Sequence, residues 1–138
     1  MGQYHDLVNP CALMVWMGGV ANGGKAAVPY LVLKPEGGLP LPASHSTRRT
    51  GRLIQADTAQ VLADMMSQNV VLTYGADRFP NMDLCAKSGT AEVGGGKQPR
   101  SWFTGFLRDQ DFPSAFAAVV EEGGSGPGGA DHVAATVL

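Results

Sequence analysis

The feature that most constrains this chain is a succession of three extended segments at residues 82–93, 100–108 and 114–122. They are separated only by a turn around Gly94-Gly95-Gly96 and by residues 109–113. Links this short join neighbouring strands antiparallel, because a parallel return needs a crossover of about a dozen residues or more. A meander of this kind must bury its apolar face against something, and helix-type segments lie on both sides of it in the sequence.

The first of these begins at Asn9-Pro10, where Asn can cap free backbone N–H groups and Pro suits the first turn. Leu13, Met14, Trp16, Met17 and Val20 leave almost no polar face, which predicts a buried helix, stopped by Asn22-Gly23-Gly24. Asp57 and Gln60 have the spacing of a capping box. Ala59, Leu62, Met65, Met66 and Val70 then recur at helical spacing, with the methionine pair read as core filling. Residues 130–138 are predicted as a last helix with Val133, Ala134, Val137 and Leu138 on its apolar side. Residues 26–34 read as extended, with Pro29 marking an edge strand or connector, and residues 35–51 as an exposed loop. Helices, then a meander, then a helix define an α+β fold with helices packed on an antiparallel sheet.

Composition narrows the function. A length of 138 residues with 44% hydrophobic residues suits one domain with a real core and argues against disorder. A net charge of -2, with no long run of either sign, argues against nucleic acid as a partner. Cys11 and Cys85 are too few for a disulfide framework, and the apolar stretch from Cys11 is too short to span a bilayer and follows no basic leader. The chain is therefore expected to carry no export signal of its own. His5, His45 and His132 are isolated, so no metal site is expected. Gly124-Ser125-Gly126-Pro127-Gly128-Gly129 satisfies G-x-G-x-x-G, but no parallel strand returns after it, and it reads as a sheet-to-helix turn.

The chemistry-bearing stretch is Lys87-Ser88-Gly89-Thr90-Ala91-Glu92 in the first extended segment. It is followed by Ser101-Trp102-Phe103-Thr104-Gly105-Phe106 in the second and by Phe116-Ala117-Ala118-Val119-Val120 with Glu121-Glu122-Gly123-Gly124 in the third. In this order they resemble the Lys-Ser/Thr-Gly strand and its neighbours in penicillin-binding protein transpeptidases, a superfamily shared with serine β-lactamases. Upstream, Gly2-Gln3, Leu7-Val8-Asn9-Pro10 and Ala21-Asn22-Gly23-Gly24 look like the corresponding stretches of class B enzymes, with Tyr4 standing where the family usually has Gly. The resemblance covers essentially the whole chain. It implies a partial β-lactamase/transpeptidase-like fold, three strands of the family's five, with residues 1–138 forming the C-terminal portion of a transpeptidase domain.

A peptide ending in a carboxylate needs a strand edge for its backbone, hydroxyl donors for its charge and a nearby cation. By resemblance, Lys87 would support proton transfer and raise the local positive potential, while Ser88 and Thr90 would hydrogen-bond the carboxylate of a substrate or β-lactam. Gly89 would admit the ligand close to the backbone, and the Thr90 N–H would be one of two oxyanion-hole donors. Lys87 and Thr90 are thus the catalytic candidates, and Ser88, Gly89 and Thr90 the binding candidates. Strand alternation alone puts Ser88 and Thr90 on one face and Lys87 on the other. Trp102 and Phe103 are read as core and cleft-wall residues. No cofactor and no metal is implied.

The family's nucleophile lies in a Ser-x-x-Lys motif, and none is present: Asn22, Leu31, Leu84 and Gly94 stand three positions before the four lysines. Ser67-Gln68-Asn69 matches the family's second motif literally but falls inside the predicted amphipathic helix, and both Ser67 and Asn69 are read as surface residues. The expectation is the C-terminal part of a peptidoglycan D,D-transpeptidase, inactive alone. The alternative is a non-enzymatic truncated homologue acting as a peptide- or protein-binding module. By resemblance its partners are the peptidoglycan stem peptide or a β-lactam, and its place is the extracytoplasmic face of the bacterial cell membrane, within a longer membrane-anchored protein. The family's sheet continues beyond the segment at residues 114–122, so that edge is expected to be open and to favour a homodimer.

Overall fold

The computed structural model describes residues 7–29, 49–109, 111, 113–124 and 128–138. The expectations for Gly2, Gln3, Tyr4 and His5, for residues 30–48 including His45, and for residues 125–127 lie outside the described residues. The elements run α1 (Pro10–Ala21), α2 (Ala56–Tyr74), β1 (Leu84–Ala91), β2 (Arg100–Leu107), β3 (Ala115–Val120) and α3 (Ala130–Val137). The three strands form one antiparallel sheet in the order β1-β2-β3, as the short connections require. The α+β fold and its three-stranded antiparallel sheet agree with the reading of the sequence.

Helix α1 starts where Asn9 and Pro10 place it, with Asn9 Oδ1 accepting from the Cys11 N–H at 2.8 Å. It ends at Asn22, and the Gly24 N–H donates back to the Gly19 carbonyl at 2.8 Å. Gly24 has φ +93, and a Cβ there would run into the Ile54 carbonyl, so the turn requires glycine on both counts. The expectation of a buried α1 is corrected: only Gly19 and Val20 are buried, while Trp16 is 52% exposed. One face packs on β2, β3 and α2, while Met14 and Trp16 stay exposed on the other.

Helix α2 also departs in detail from its sequence signature. The N-cap is Gln55, without a side-chain cap bond; Asp57 instead accepts from the Thr58 N–H at 2.7 Å, and Gln60 donates to Asp64. The capping box is therefore not formed. Ala59, Ala63, Met66 and Val70 make the buried stripe, whereas Met65 is 62% exposed, so only one methionine of the pair fills core. In α3 the expected apolar face is rotated: Ala130, Asp131 and Ala134 are buried and Val137 is 78% exposed.

Both sheet faces carry core. Leu84, Ala86 and Phe103 share one cluster with Val70, Phe79, Ala130 and Ala134. Within it the Phe79 ring stacks on Phe103 at 5.6 Å, and Tyr74 meets Phe103 edge-on at 5.5 Å. Cys85 and Phe106 point to the opposite face, against Val20, Ala63 and Met66. This alternation confirms period two along β1 and fixes which face each motif residue occupies. Phe103 is fully buried core, as read, and Trp102 is half-buried on the α1 and α2 side.

Candidate functional site

The candidate residues sit on β1, which the order β1-β2-β3 leaves at an edge of the sheet. Its pairing with β2 sets Lys87 opposite Thr104, Ser88 opposite Phe103, Gly89 opposite Trp102 and Thr90 opposite Ser101. Two backbone bonds fix the direction of every polar group. Leu107 N–H donates to Ser114 on the β3 side at 2.8 Å, and Arg108 N–H donates to Asp83 on the β1 side at 3.0 Å. Backbone groups alternate along a strand, so Cys85, Lys87, Gly89 and Ala91 bond to β2, and Ala86, Ser88 and Thr90 present theirs outward. The Ala86 carbonyl is indeed met from outside, by the Asn69 amide at 3.1 Å.

The structure brings Lys87, Ser88 and Thr90 to this outer edge by a route that alternation alone does not supply. The Lys87 side chain leaves the strand on the Cys85 face, opposite to Ser88 and Thr90. Its exposed chain then folds round the edge, and Nζ donates to the Ser88 carbonyl at 2.8 Å. An ammonium thus lies beside the outward backbone of the residue that starts the Ser88-Gly89-Thr90 stretch. Ser88 is half-buried and Gly89 and Thr90 are exposed, so the edge is accessible.

Gly89 differs from Gly105 in what makes it glycine. A Cβ on Gly105 would run into the Cys85 carbonyl and lie 2.8 Å from Ala86 Cα, so the close approach of β1 and β2 demands glycine there. On Gly89 the nearest neighbour would be Trp102 Cβ at 3.6 Å, an ordinary contact. The fold has room for a methyl group at Gly89.

Around this edge, α2 is tied to the sheet at two places. Asn69 holds Ala86, and its own Oδ1 accepts from Thr73 Oγ1 at 3.3 Å. The reading of Asn69 as a surface residue is corrected: it is half-buried and bonded to the motif strand. The sequence signal was Thr73 one turn later, which uses the amide oxygen and leaves the amide nitrogen to donate. Farther down, Arg108 bonds Asp64 at 2.7 Å. That guanidinium, with the Gln60 amide, holds the Asp64 carboxyl below the usual carboxylate range.

The described hollows lie elsewhere. One of about 520 Å³ is lined by Thr73, Tyr74, Arg78, Gly128 and His132, and another of about 510 Å³ lies between α1 and the β2–β3 turn, beside Asn22, Arg108 and Ser114. Neither of these two includes Lys87, Ser88 or Thr90, which lie on the edge strand. Burial pushes the Cys85 thiol up to about 11, which makes it an inert core residue. Among the described residues no group of three or more His, Cys, Asp or Glu could hold a metal ion.

An antiparallel sheet with helices on both faces and a lysine-bearing edge strand is a partial transpeptidase fold of the penicillin-binding type. The chain belongs to that family: the penicillin binding protein transpeptidase domain matches residues 1–138. It is 31% identical over 118 residues to the peptidoglycan D,D-transpeptidase PbpA of Mycolicibacterium smegmatis, a match that takes in 80% of this chain and 24% of that protein. The chain thus spans about a quarter of the length of this curated relative.

Among solved structures, PBPA from Mycobacterium tuberculosis superposes with a TM-score of 0.74 at 26% identity, over 99% of this chain and 34% of that one. The imipenem acyl-enzyme complex of penicillin-binding protein A from the same organism gives 0.73 at 27%, over 99% and 32%. Pseudomonas aeruginosa PBP2 in complex with WCK 5153 gives 0.71 at 23%, over 99% and 31%, which speaks to the fold alone.

Proposed function

We propose that residues 1–138 are the C-terminal portion of a peptidoglycan D,D-transpeptidase domain and supply the wall on which the substrate's peptide end, or a β-lactam, is held. The observation that carries this is the Lys87 ammonium on the Ser88 carbonyl at the outward edge of β1. An extended peptide can add to that edge through backbone hydrogen bonds, and its terminal carboxylate then meets a cation and the hydroxyls of Ser88 and Thr90. Lys87 supports proton transfer at the reacting centre. The outward Thr90 N–H is one oxyanion donor, a contact of a kind worth about 3 kcal/mol of barrier.

The acylated serine comes from outside residues 1–138, because no Ser-x-x-Lys pair occurs in them. The same observation favours a second reading, a non-enzymatic module that binds a peptide or protein through the β1 edge. Activity at the extracytoplasmic face of the membrane follows from the transpeptidase reading. Among the described residues no helix is long and apolar enough to cross a membrane.

The test compares a penicillin with its methyl ester as ligands of the native polypeptide that carries this sequence. The free acid is expected to react at least about tenfold faster, a preference that Ser88→Ala with Thr90→Val abolishes. Equal reaction of acid and ester in the wild type would refute the carboxylate-binding role. Binding of the free acid without any covalent adduct would select the non-enzymatic reading.

A further inference from the structure

We propose that Asn69 is a positioning residue for the ligand-binding edge: it closes the outer edge of β1 at Ala86, so that an added strand ends beside Ser88 with its terminal carboxylate next to Lys87. The inference rests on the reading that this edge receives a carboxylate-ended ligand. It goes beyond that reading by assigning the end of the site to a residue of α2, outside the Lys87-Ser88-Gly89-Thr90 stretch.

The outward carbonyls of β1 recur every second residue, at Ala86, Ser88 and Thr90, and an unobstructed edge would let a peptide run past all of them. Ala86 is fully buried, and its carbonyl accepts from Asn69 Nδ2 at 3.1 Å. Thr73 Oγ1 donates to Asn69 Oδ1 at 3.3 Å, which orients the amide so that nitrogen, not oxygen, faces the strand. An incoming strand therefore finds no acceptor at Ala86 and meets α2 there. The next outward carbonyl, Ser88, is held by Lys87 Nζ at 2.8 Å, a flexible partner that a carboxylate can draw away. The fixed bond and the exchangeable one are adjacent, and together they define where a peptide stops and where its charge lands. The Asn69 donor also removes exposed carbonyl lone pairs from the end of the site, where they would repel an arriving carboxylate.

The experiment uses the native polypeptide that carries residues 1–138 and a fluorescent penicillin, with rapid-mixing kinetics that separate the pre-covalent dissociation constant from the acylation step. Asn69→Leu keeps the volume and removes the donor. Asp64→Asn removes the charge from the other tie of α2 to the sheet and serves as the structural control. Asn69→Leu is expected to weaken pre-covalent binding by about tenfold and to change acylation from the bound complex by less than about threefold. Asp64→Asn should leave both within about twofold while also lowering the thermal midpoint. Asn69→Asp, which keeps the shape but faces a carboxylate toward Ala86, gives the same direction if Asn69→Leu does not fold. Equal binding losses for the Asn69 and Asp64 variants, or no loss for either, would overturn the inference. A wild-type polypeptide that takes up no penicillin would instead overturn the reading on which it rests.

Discussion

At the scale of single residues, the two strand glycines separate what the fold requires from what a ligand requires. Gly105→Ala drives a methyl group into the Cys85 carbonyl and is expected to cost about 1–3 kcal/mol, read as a lower denaturant midpoint. Gly89→Ala meets only ordinary contact with Trp102 and is expected to hold stability within about 0.5 kcal/mol while weakening penicillin uptake. A large stability loss at Gly89 would show that the strand, and not the ligand, needs glycine there. The thiols differ in the same way. Cys85 is fully buried with its thiol pushed up to about 11, and Cys11 is exposed. A disulfide-exchange reagent at pH 8 should titrate one thiol in the native chain and both in denaturant.

Among elements, the helices owe their placement to polar ties that the hydrophobic pattern does not reveal. Helix α3 is fixed at its start by Ser101 Oγ, which accepts from the Ala130 N–H at 3.0 Å, and by Asp131, which accepts from the Gly128 N–H and pairs with Arg78 at 3.1 Å. Asp131 is 3% exposed, so its burial explains why Val133 and Val137 turn outward despite their hydrophobicity. Removing it takes a charged acceptor from the Gly128 N–H and from a partly exposed guanidinium, and Asp131→Ala is expected to cost about 2 kcal/mol by denaturant unfolding.

The Asp64 tie to Arg108 is titratable. Its carboxyl is lowered from 3.8, so the stabilisation it provides is present above that value and is lost as pH falls through the lowered one. The wild type should therefore melt above Asp64→Asn at pH 7, and the two curves should converge as pH drops below 3.8. A gap that persists in strong acid would mean that the ion pair is not its source. Strand positions, the start of α1, most of the core stripe of α2 and the motif strand were legible because turn chemistry and apolar period speak directly in the sequence. Which face of α3 is buried was not, because Asp131 and Ser101 act through partners 53 and 29 positions away.

For the whole molecule, the sheet ends among the described residues at β3, whose Ala115-Phe116-Ala117-Ala118-Val119-Val120 run carries no charge, while Trp16 on α1 stays 52% exposed. An uncharged open edge invites pairing. The isolated 138-residue chain is expected to self-associate in sedimentation as concentration rises, and a monomer throughout would mean that the edge is protected. The family was legible because three segments, Lys87 to Glu92, Ser101 to Phe106 and Phe116 to Gly124, stand together in the family's order. The delivery of Lys87 to the Ser88 edge was not, since it depends on the path of a flexible side chain against the strand's alternation.

The central claim is that this edge is one wall of a serine transpeptidase site whose nucleophile lies outside residues 1–138. The direct measurement is peptide mapping by mass spectrometry of the native polypeptide after reaction with a labelled penicillin, beside its Lys87→Ala variant. The expected result is a penicilloyl serine in a peptide outside this sequence, with labelling strongly reduced in the variant. An adduct on a residue within 1–138, or labelling that is unchanged without Lys87, would contradict the account.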